Sequence, residues 1–301
     1  MASNIDVLVI GSLNHDIVAV VDTAPGPGAT VLARSLTRTN GGKGGNQAVA
    51  AARAGAVVRM VSSVGVDAEG EMQVNDLLAY GVDPSGVVRQ PDLRTSLALI
   101  WITPDGENSI IVTPGAKDRV TPELVRTAAS NLGNIKVVLA QSEVGAAVSD
   151  AAADLAGQLS ARFVLSCGPV VLPSLMTLRR CDPIIVNAQE ARDLLKQLGA
   201  DVTTSESMLA DALLQVTQAA SVIVTLGARG SLAAQNGMHS IAIPAQPTAR
   251  VVDTTGAGDT YAGVVAARLS LGDELGQACH EAAMAAAACV GWFGARPGTD
   301  Q

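Results

Sequence analysis

Short apolar runs alternate with longer, alanine-rich segments along most of this chain. The runs have the length of buried strands, and the clearest lie at 7–10, 57–61, 137–140, 163–165, 184–186 and 222–226. The segments between them predict helices at 46–54, 68–79, 145–159, 188–198, 206–219, 257–270 and 274–290. Strands that alternate with helices are typical of βαβ units. The sequence therefore predicts an α/β fold of three layers, a mostly parallel sheet flanked by helices.

Two stretches depart from this pattern. Residues 95–113 alternate through Leu97 and Trp101, reach turn residues at 104–107, and then resume the alternation, which is hairpin chemistry. Together with the extended segment 14–40, they predict a small antiparallel sheet outside the main one. Such a sheet is either a lid over a site or a plain edge hairpin, and the pattern alone fits both.

Composition narrows the class of protein. The 301 residues, 48% of them hydrophobic, suit one large domain over 1–301 with the small sheet attached. A net charge of −8 and a pI near 4.8 argue against nucleic acid as a partner. The first apolar run is only a strand's length, too short for a signal peptide or a membrane span. We therefore expect a cytoplasmic protein without a membrane partner.

The four cysteines support the same compartment. They show no CxxC spacing and lie in apolar or mixed surroundings, so reduced structural thiols fit better than a disulfide set or a metal site. They are Cys167, Cys181, Cys279 and Cys289.

Residues 251–263 are the most informative part of the chain. They predict a short buried strand, a loop with Gly256 and Gly258, and a helix of small residues that starts near Asp259. Glycines and the free N–H groups of a helix N-terminus make an anion site, for which phosphate is the obvious guest. A carboxylate repels phosphate, so Asp259 either only caps the helix or removes a proton from a hydroxyl that attacks the phosphate.

A glycine-rich segment precedes the predicted helix at 46–54. It reads Asn-Gly-Gly-Lys-Gly-Gly-Asn over 40–46, and it is neither a Walker A loop nor a G-x-G-x-x-G fingerprint. Its backbone amides, Lys43 and Asn46 suit a polyol, although a solvated turn lysine is the simpler interpretation. Glycines cost backbone entropy on folding, which favours a use for them.

Other polar residues follow predicted strands, where open α/β sheets bind ligands. Asn14 and Asp16 suit sugar hydroxyls, although Asx turns are common at such positions. Glu143 follows the run at 137–140. Asn187 and Glu190 begin a helix and suit phosphate and a hydrated Mg²⁺, whereas Glu190 could equally be a first-turn acid that complements the helix dipole.

The segment 225–230, Thr-Leu-Gly-Ala-Arg-Gly, could cradle the phosphates of a nucleotide or could be a hairpin turn. Only six residues of the chain are aromatic, two each of Trp, Tyr and Phe. An adenine site would therefore have to be an aliphatic slot rather than an aromatic stack.

Taken together, these motifs resemble the ribokinase branch of the PfkB carbohydrate kinase family over residues 7–297. Both family signatures occur in order, the first at 41–48 (Gly-Gly-Lys-Gly-Gly-Asn-Gln-Ala) and the second at 253–260 (Asp-Thr-Thr-Gly-Ala-Gly-Asp-Thr). The polar residues at the strand ends fall between and before them. The resemblance implies a ribokinase-like fold with a β lid over the sugar, and transfer of the ATP γ-phosphate to O5 of D-ribose.

The same resemblance implies roles for individual residues. Asp259 is the expected general base, and the amides of Gly256, Ala257 and Gly258 are the expected anion hole. The residues expected to contact the sugar are Ser12, Asn14, Asp16, Gly41, Gly42, Lys43, Asn46 and Glu143. Those expected to contact ATP are Asn187, Thr225, Gly227, Ala228, Arg229, Gly230 and Gly258, and Glu190 is expected to help place Mg²⁺.

A monovalent cation site and a dimer are also implied. The positions that match the family's K⁺ site are Asp253, Thr255, Cys289, Trp292, Gly294 and Gly298. Gly298 departs from the pattern, because a serine is frequent there, and this weakens the expectation of K⁺ activation. Residues 165–169, Leu-Ser-Cys-Gly-Pro, depart from the Asn-Pro-Ala-Pro of many relatives, on the nucleotide side. Lids of this family pair between two subunits, which implies a homodimer.

Two alternatives stay open, and a third is excluded. Another kinase of the same family would act on 2-deoxyribose, a hexose or a nucleoside, because one lost hydroxyl contact can redirect specificity. A non-catalytic sugar sensor would keep the fold, although it would not need Asp259 and the glycine loop. A Rossmann dehydrogenase lacks its fingerprint here.

Overall fold

The computed structural model describes residues 4–104, 108–128 and 133–297. In this part of the chain, nine strands form the main sheet: β1 (Ile5–Ile10), β4 (Val58–Gly65), β5 (Asp83–Gln90), β8 (Ile135–Gln141), β9 (Arg162–Ser166), β10 (Cys181–Asn187), β11 (Ser221–Thr225), β12 (Ser231–Gln235) and β13 (Ile241–Ile243). Their order is β13-β12-β11-β10-β9-β8-β1-β4-β5. All pairs from β5 to β11 are parallel, and β12 and β13 add an antiparallel edge.

Helices cover both faces of this sheet. They are α1 (Lys43–Arg53), α2 (Ala68–Ala79), α3 (Pro122–Ala128), α4 (Ala146–Gln158), α5 (Leu175–Arg180), α6 (Ala188–Gln197), α7 (Leu209–Thr217), α8 (Ala257–Ser270) and α9 (Leu275–Cys289). One hydrophobic cluster joins the sheet to α4, α6 and α7, and a second joins it to α1, α8 and α9. Strands buried on both faces need the continuous apolar runs seen in the sequence. The predicted three-layer α/β fold is confirmed.

Small residues bring α1 and α8 close together. A Cβ added at Gly263 in α8 would lie only 2.3 Å from the carbonyl oxygen of Gln47 in α1, so the position admits glycine alone. The alanine-rich α9 packs in turn against α8. This contact matters for the site, because it holds the N-terminal turns of α1 and α8 against each other.

A second, four-stranded sheet stands apart from the main one. Its strands are β2 (Asn14–Val21), β3 (Ala33–Gly41), β6 (Ser96–Ile102) and β7 (Asn108–Val112), in the order β3-β2-β6-β7. The β2/β3 and β6/β7 pairs are antiparallel, whereas β2 and β6 run parallel. The parallel pair arises because each of these strands enters the small sheet from the same side of the main sheet. Residues 105–107 of the predicted turn lie outside the described residues.

Several sequence predictions need correction. No strand forms at 251–253. Val251 and Val252 are 58% and 44% exposed, and the amides of Val252 and Asp253 donate to the Val290 carbonyl rather than to a neighbouring strand. The helix predicted from 46 begins at Lys43, because Gly42 at φ 88° serves as its N-cap. The helix predicted over 206–219 narrows to α7. The sequence pattern missed β5, β12, β13, α3 and α5, which are short or only partly buried.

None of the helices in the described ranges has the length and apolar character that crossing a membrane requires.

Candidate active site

The glycine loop before α8 has the backbone that the sequence predicts. Gly256 is the N-cap of α8 with φ 79°, and an added Cβ would lie 2.5 Å from the Cα of Ala295. A Cβ at Gly258 would instead meet open space. The first turn of α8 therefore presents N–H groups to an open volume. The amide of Ala257 is partly engaged, since it donates to the Thr254 carbonyl at 3.3 Å.

Asp259 is not a helix cap. Its Oδ2 accepts from Nδ2 of Asn46 at 2.9 Å, and its Oδ1 accepts from Nε2 of Gln47 at 3.0 Å. The Gln47 amide is itself oriented by Nε2 of Gln141, which donates to Gln47 Oε1 at 2.9 Å. The simpler interpretation of Asp259 is thus wrong. Its carboxylate is aimed by two amides of α1 and keeps lone pairs free for a hydroxyl proton.

Lys43 lies in the first turn of α1, among carboxylates rather than in solvent. The negative charge of Asp259 raises the pKa of Lys43, burial opposes this, and Glu143 and Glu190 raise it further. The lysine therefore carries its charge at neutral pH, and the charges of all three acids act on it. Glu143 also accepts a hydrogen bond from the Ser12 hydroxyl at 3.1 Å.

Asp16 lies in strand β2 of the small sheet, near the same acids. Burial raises its pKa to about 7, the Arg296 charge opposes the rise, and Glu143 and Asp259 add to it. Nearby, the Oδ1 of Asn14 is buried and has no partner among the described residues. A site that leaves one oxygen unpaired and one carboxyl poorly solvated offers strong positions to ligand hydroxyls.

The glycines around Lys43 serve close packing. A Cβ at Gly41 would lie 2.1 Å from Asp16 Oδ2, and one at Gly44 would lie 2.7 Å from the backbone of Gly11. Gly42 needs its positive φ, and a Cβ there would also lie 2.7 Å from the Asn14 amide nitrogen. These residues let the start of α1 approach the end of β1 and the start of β2.

Two cavities share Thr225 and Gly258 in their linings, and Asp259 lines the smaller of the two. The smaller, about 140 Å³, is lined by Lys43, Ser166, Gly168, Ile185, Val186, Asn187, Glu190, Thr225, Gly256, Gly258 and Asp259. The second, about 390 Å³, has walls of alanine, valine and glycine, including Gly227, Ala228, Gly230, Val251, Ala257, Ala286 and Val290. Eleven of its sixteen lining residues are glycine, alanine or valine, and the others are Thr225, Gln246, Thr248, Thr254 and Tyr261. The departing segment at 165–169 borders the smaller cavity through Ser166 and Gly168, on the side of Asn187.

Comparison with known proteins agrees with this geometry. Residues 4–301 match the model of the pfkB family carbohydrate kinases. The chain belongs to the PfkB carbohydrate kinase family. It is therefore a sugar kinase, an enzyme that transfers a phosphoryl group to a sugar hydroxyl.

Individual relatives span most of the chain. A ribokinase of Bacillus subtilis is 33% identical over 97% of this chain and 95% of its own. A bifunctional ribokinase/ribose-5-phosphate isomerase A of Fructilactobacillus sanfranciscensis is 35% identical over 88% of this chain, which spans about half (48%) of that protein. The solved structure of an Arabidopsis thaliana ribokinase complexed with ribose and ATP superposes with a TM-score of 0.84, at 29% identity, over 97% of this chain and 95% of that one. The ribokinase-like fold is confirmed.

The residues of this PfkB kinase that suit Mg²⁺ lie at the start of α6. Asn187 and Glu190 form a capping box, with bonds of 2.8 Å in both directions, so the structural role predicted for Glu190 is real. Burial raises the pKa of Glu190, and the nearby Lys43 opposes this. In the described part of the chain no three His, Cys, Asp or Glu side chains cluster as a metal cage. One carboxylate beside a phosphate site fits a hydrated Mg²⁺, which takes few protein oxygens.

The K⁺ positions cluster around Asp253. Its Oδ1 accepts from the amide and the hydroxyl of Thr255 at 2.9 and 2.7 Å, and its Oδ2 accepts from the Gly294 amide at 2.9 Å. The Cys289 thiol points to the Thr255 carbonyl, and the Trp292 amide donates to the Cys289 carbonyl. A fixed carboxylate among turn carbonyls suits a monovalent cation. Gly298 lies outside the described residues.

One predicted nucleotide contact is not brought to the site. Arg229 pairs with Glu206 at 2.8 Å, and its side chain is 67% exposed. It is absent from the lining of both cavities, whereas Gly227, Ala228 and Gly230 line the larger one. The segment is the hairpin turn between β11 and β12, as the simpler interpretation had it, and the tight turn directs the arginine outward to the acid before α7.

Sequence reasoning missed three site residues. The sequence places Gln47 inside a signature without giving it a role, and it predicts no role for Gln141 or Arg296. Gln141 is the last residue of β8, a strand-end position like those of the predicted polar residues, and this position is a usable signal. Arg296 follows α9 in an irregular segment, and no local pattern indicates that its side chain is buried.

Proposed function

We propose that this PfkB kinase phosphorylates D-ribose at O5 with ATP as the donor. The observation that carries the proposal is the set of groups around Asp259: it lines one cavity with Lys43, Gly256 and Gly258, and its charge acts on Lys43 and on the buried Asp16. Hydroxyl-binding groups, base and anion loop thus lie together, as phosphoryl transfer to a sugar needs.

In the proposed mechanism the side chains of Asn14, Asp16, Lys43 and Glu143 hold the sugar. Their polar character favours a small free sugar over a nucleoside, which would need apolar contacts to its base. Asp259 accepts the proton of the attacking O5 hydroxyl as the bond from O5 to the γ-phosphorus forms and the bond from that phosphorus to the β,γ-bridging oxygen breaks, which releases ADP. The amides at the start of α8 stabilise the charge that develops on the transferring group.

The donor and its metal follow from the two cavities. The alanine-lined cavity takes the adenosine of ATP, and the smaller cavity leads the phosphates to Asp259. Asn187 and Thr225 lie on the proposed phosphate path, and Glu190 would hold a hydrated Mg²⁺, which would supply positive charge to the phosphate oxygens. The Asp253 loop, which adjoins Gly256, would hold K⁺, whose charge would stabilise the anion loop.

The test of the base is Asp259→Asn, with Asp273→Asn as a matched control. Asp273 pairs with Arg268 at 2.6 Å, far from the proposed chemistry. The Asp259 variant should bind ribose and ATP with nearly unchanged affinity by calorimetry and lose turnover by about 10²- to 10⁴-fold. Turnover near that of the wild type would show that Asp259 is not the base.

Substrate choice is tested by ADP release. The panel comprises D-ribose, 2-deoxyribose, fructose, fructose 6-phosphate and adenosine, each with and without K⁺. The proposal expects the highest kcat/KM for D-ribose and a rise with K⁺. A preference for adenosine would contradict the assignment, and turnover of none of the five would favour the non-catalytic sensor.

We also propose that the chain forms a homodimer through its lid. Leu36, Leu99 and Ile111 are 59%, 36% and 51% exposed, and they share one face of the small sheet. Ala19 pairs with Leu36, Ile17 pairs with Leu99, and Leu99 pairs with Ile111, so all lie on the same side of the pleat. Asp16 faces the opposite side.

An exposed apolar sheet face is a liability for a monomer and a natural contact for a second copy. Leu99→Glu should convert a dimer to a monomer by light scattering, because it places a charge in the middle of this face. Leu32→Glu is the control, since Leu32 is 88% exposed in the loop before β3. A monomeric wild type would refute the dimer.

A further inference from the structure

Among the described residues near the site, Arg296 is a strongly buried cation to which the proposed mechanism gives no role. It lies in the segment after α9, and its side chain is only 4% exposed. A buried guanidinium is costly unless several acceptors surround it. Its partners therefore show what the structure uses it for.

The guanidinium joins three elements. Nε donates to Asn46 Oδ1 in α1 at 2.9 Å, and Nη2 donates to the Gly41 carbonyl at the end of β3, also at 2.9 Å. Nη1 pairs with the Asp76 carboxylate and lies 3.4 Å from Gln73 Oε1, both in α2. The fork of an arginine can satisfy all these acceptors at once, whereas a lysine cannot.

The bond to Asn46 fixes the direction of its amide. Because Oδ1 accepts from Arg296, Nδ2 is left to donate to Asp259, where the distance is 2.9 Å. The reverse orientation would place Oδ1 against the Asp259 carboxylate and Nδ2 against the guanidinium, so that both hydrogen bonds would be lost. Without Arg296, only the Asp259 carboxylate would favour this orientation, and Oδ1 would lose its charged donor, so the amide would be held at one end instead of two.

The start of α1 is built around this group. A Cβ at Gly45 would lie 2.1 Å from Nη2 of Arg296, so the glycine at this position makes room for the guanidinium. The charge also reaches the sugar side, where it opposes the rise in the pKa of Asp16. Both observations link Arg296 to the start of α1 and to Asp16 rather than to the hydrophobic core.

We infer that Arg296 is a positioning residue for the phosphoryl transfer: it orients the Asn46 amide toward Asp259 and holds Gly41, in the glycine-rich segment 40–46. The inference rests on the proposed function, in which Asp259 is the base. It predicts a defect in turnover and in sugar affinity, with the affinity for the nucleotide unchanged, because none of its partners lines the alanine-walled cavity.

The experiment compares Arg296→Ala with Arg268→Met. Arg268 pairs with Asp273 and forms no hydrogen bond with the partners of Arg296 named above. On the best sugar of the wild type, and normalised to folded enzyme, Arg296→Ala should lower kcat about 10- to 100-fold and raise the sugar KM, with the ATP KM within about twofold. Guanidinium at tens of millimolar should restore turnover several-fold, and ammonium should not.

Arg296→Lys guards against a variant that does not fold. It keeps a positive charge beside Asp76 but cannot bond both Asn46 and Gly41, so its kcat should also fall. A purely structural role would lower the melting temperature while kcat per folded enzyme, sugar KM and the response to guanidinium stay as in the wild type, and that result overturns the inference. If Asp259→Asn retains turnover, the proposed base is wrong; if Asp259→Asn is inactive and the Arg296 variants are fully active, only this inference is wrong.

Discussion

Replacing Asp16 by asparagine should make this enzyme more stable and less able to hold its sugar. Burial raises the pKa of Asp16 from 3.8 to about 7. A folded-state pKa above the unfolded one means that the folded protein binds more protons between these values. The stability of the wild type therefore falls as pH rises from about 4 to 7, and the full cost is present above pH 7.

The size of this cost follows from the shift. Each pKa unit corresponds to about 1.4 kcal/mol, so ionising Asp16 costs at most about 4 kcal/mol above pH 7 and about 2 kcal/mol at pH 5. Asparagine carries no such charge. Denaturant unfolding of Asp16→Asn should thus give a stability gain over the wild type that grows by about 2 to 3 kcal/mol between pH 5 and pH 8.

The control is Asp92→Asn, which removes an exposed carboxylate and should change stability little at either pH. Asp16→Asn also tests function, because its sugar KM should rise at pH 8 while its ATP KM stays unchanged. A stability difference that does not depend on pH would refute the burial argument. A sugar KM equal to that of the wild type would remove Asp16 from the sugar site.

Three further predictions concern the glycine loop, the nucleotide cavity and the metal. Gly256→Ala should abolish turnover or folding, since its Cβ would meet the backbone of Ala295 at 2.5 Å, and a soluble, active variant would contradict this. Ala286→Leu should raise the ATP KM about tenfold or more without changing the sugar KM, because it fills part of a cavity of about 390 Å³. Glu190→Gln should raise the Mg²⁺ concentration needed for half-maximal rate, and an unchanged titration would show that Glu190 is only a cap.

Much of the fold was accessible from the sequence because its strands are buried on both faces. Continuous apolar runs such as those of β1 and β8 leave few alternatives. The strands that were missed, such as β5 and β13, are half exposed or only three residues long, and their conformation depends on the neighbouring strand. Val251 and Val252 mislead for the opposite reason: they look like a strand, yet no neighbouring strand pairs with them in the described structure.

The site was predictable where function is encoded locally and hidden where it depends on tertiary contacts. Lys43 and Asp259 lie in glycine-rich helix starts, whose chemistry can be read from the chain. Arg296 and Asp76 are 220 residues apart, so their pairing appears only in the folded protein. Arg229 shows that a local pattern can also suggest too much. The glycine-containing segment 225–230 predicts a nucleotide contact for this cation, whereas its side chain pairs with Glu206.

The walls of the alanine-lined cavity have a consequence for the choice of phosphoryl donor. Five of its sixteen lining side chains can form hydrogen bonds, those of Thr225, Gln246, Thr248, Thr254 and Tyr261, whereas the eleven glycines, alanines and valines carry no directional information about the edge of a base. In the proposed nucleotide site, the choice among purine triphosphates would therefore rest on these five side chains and on the outline of the cavity.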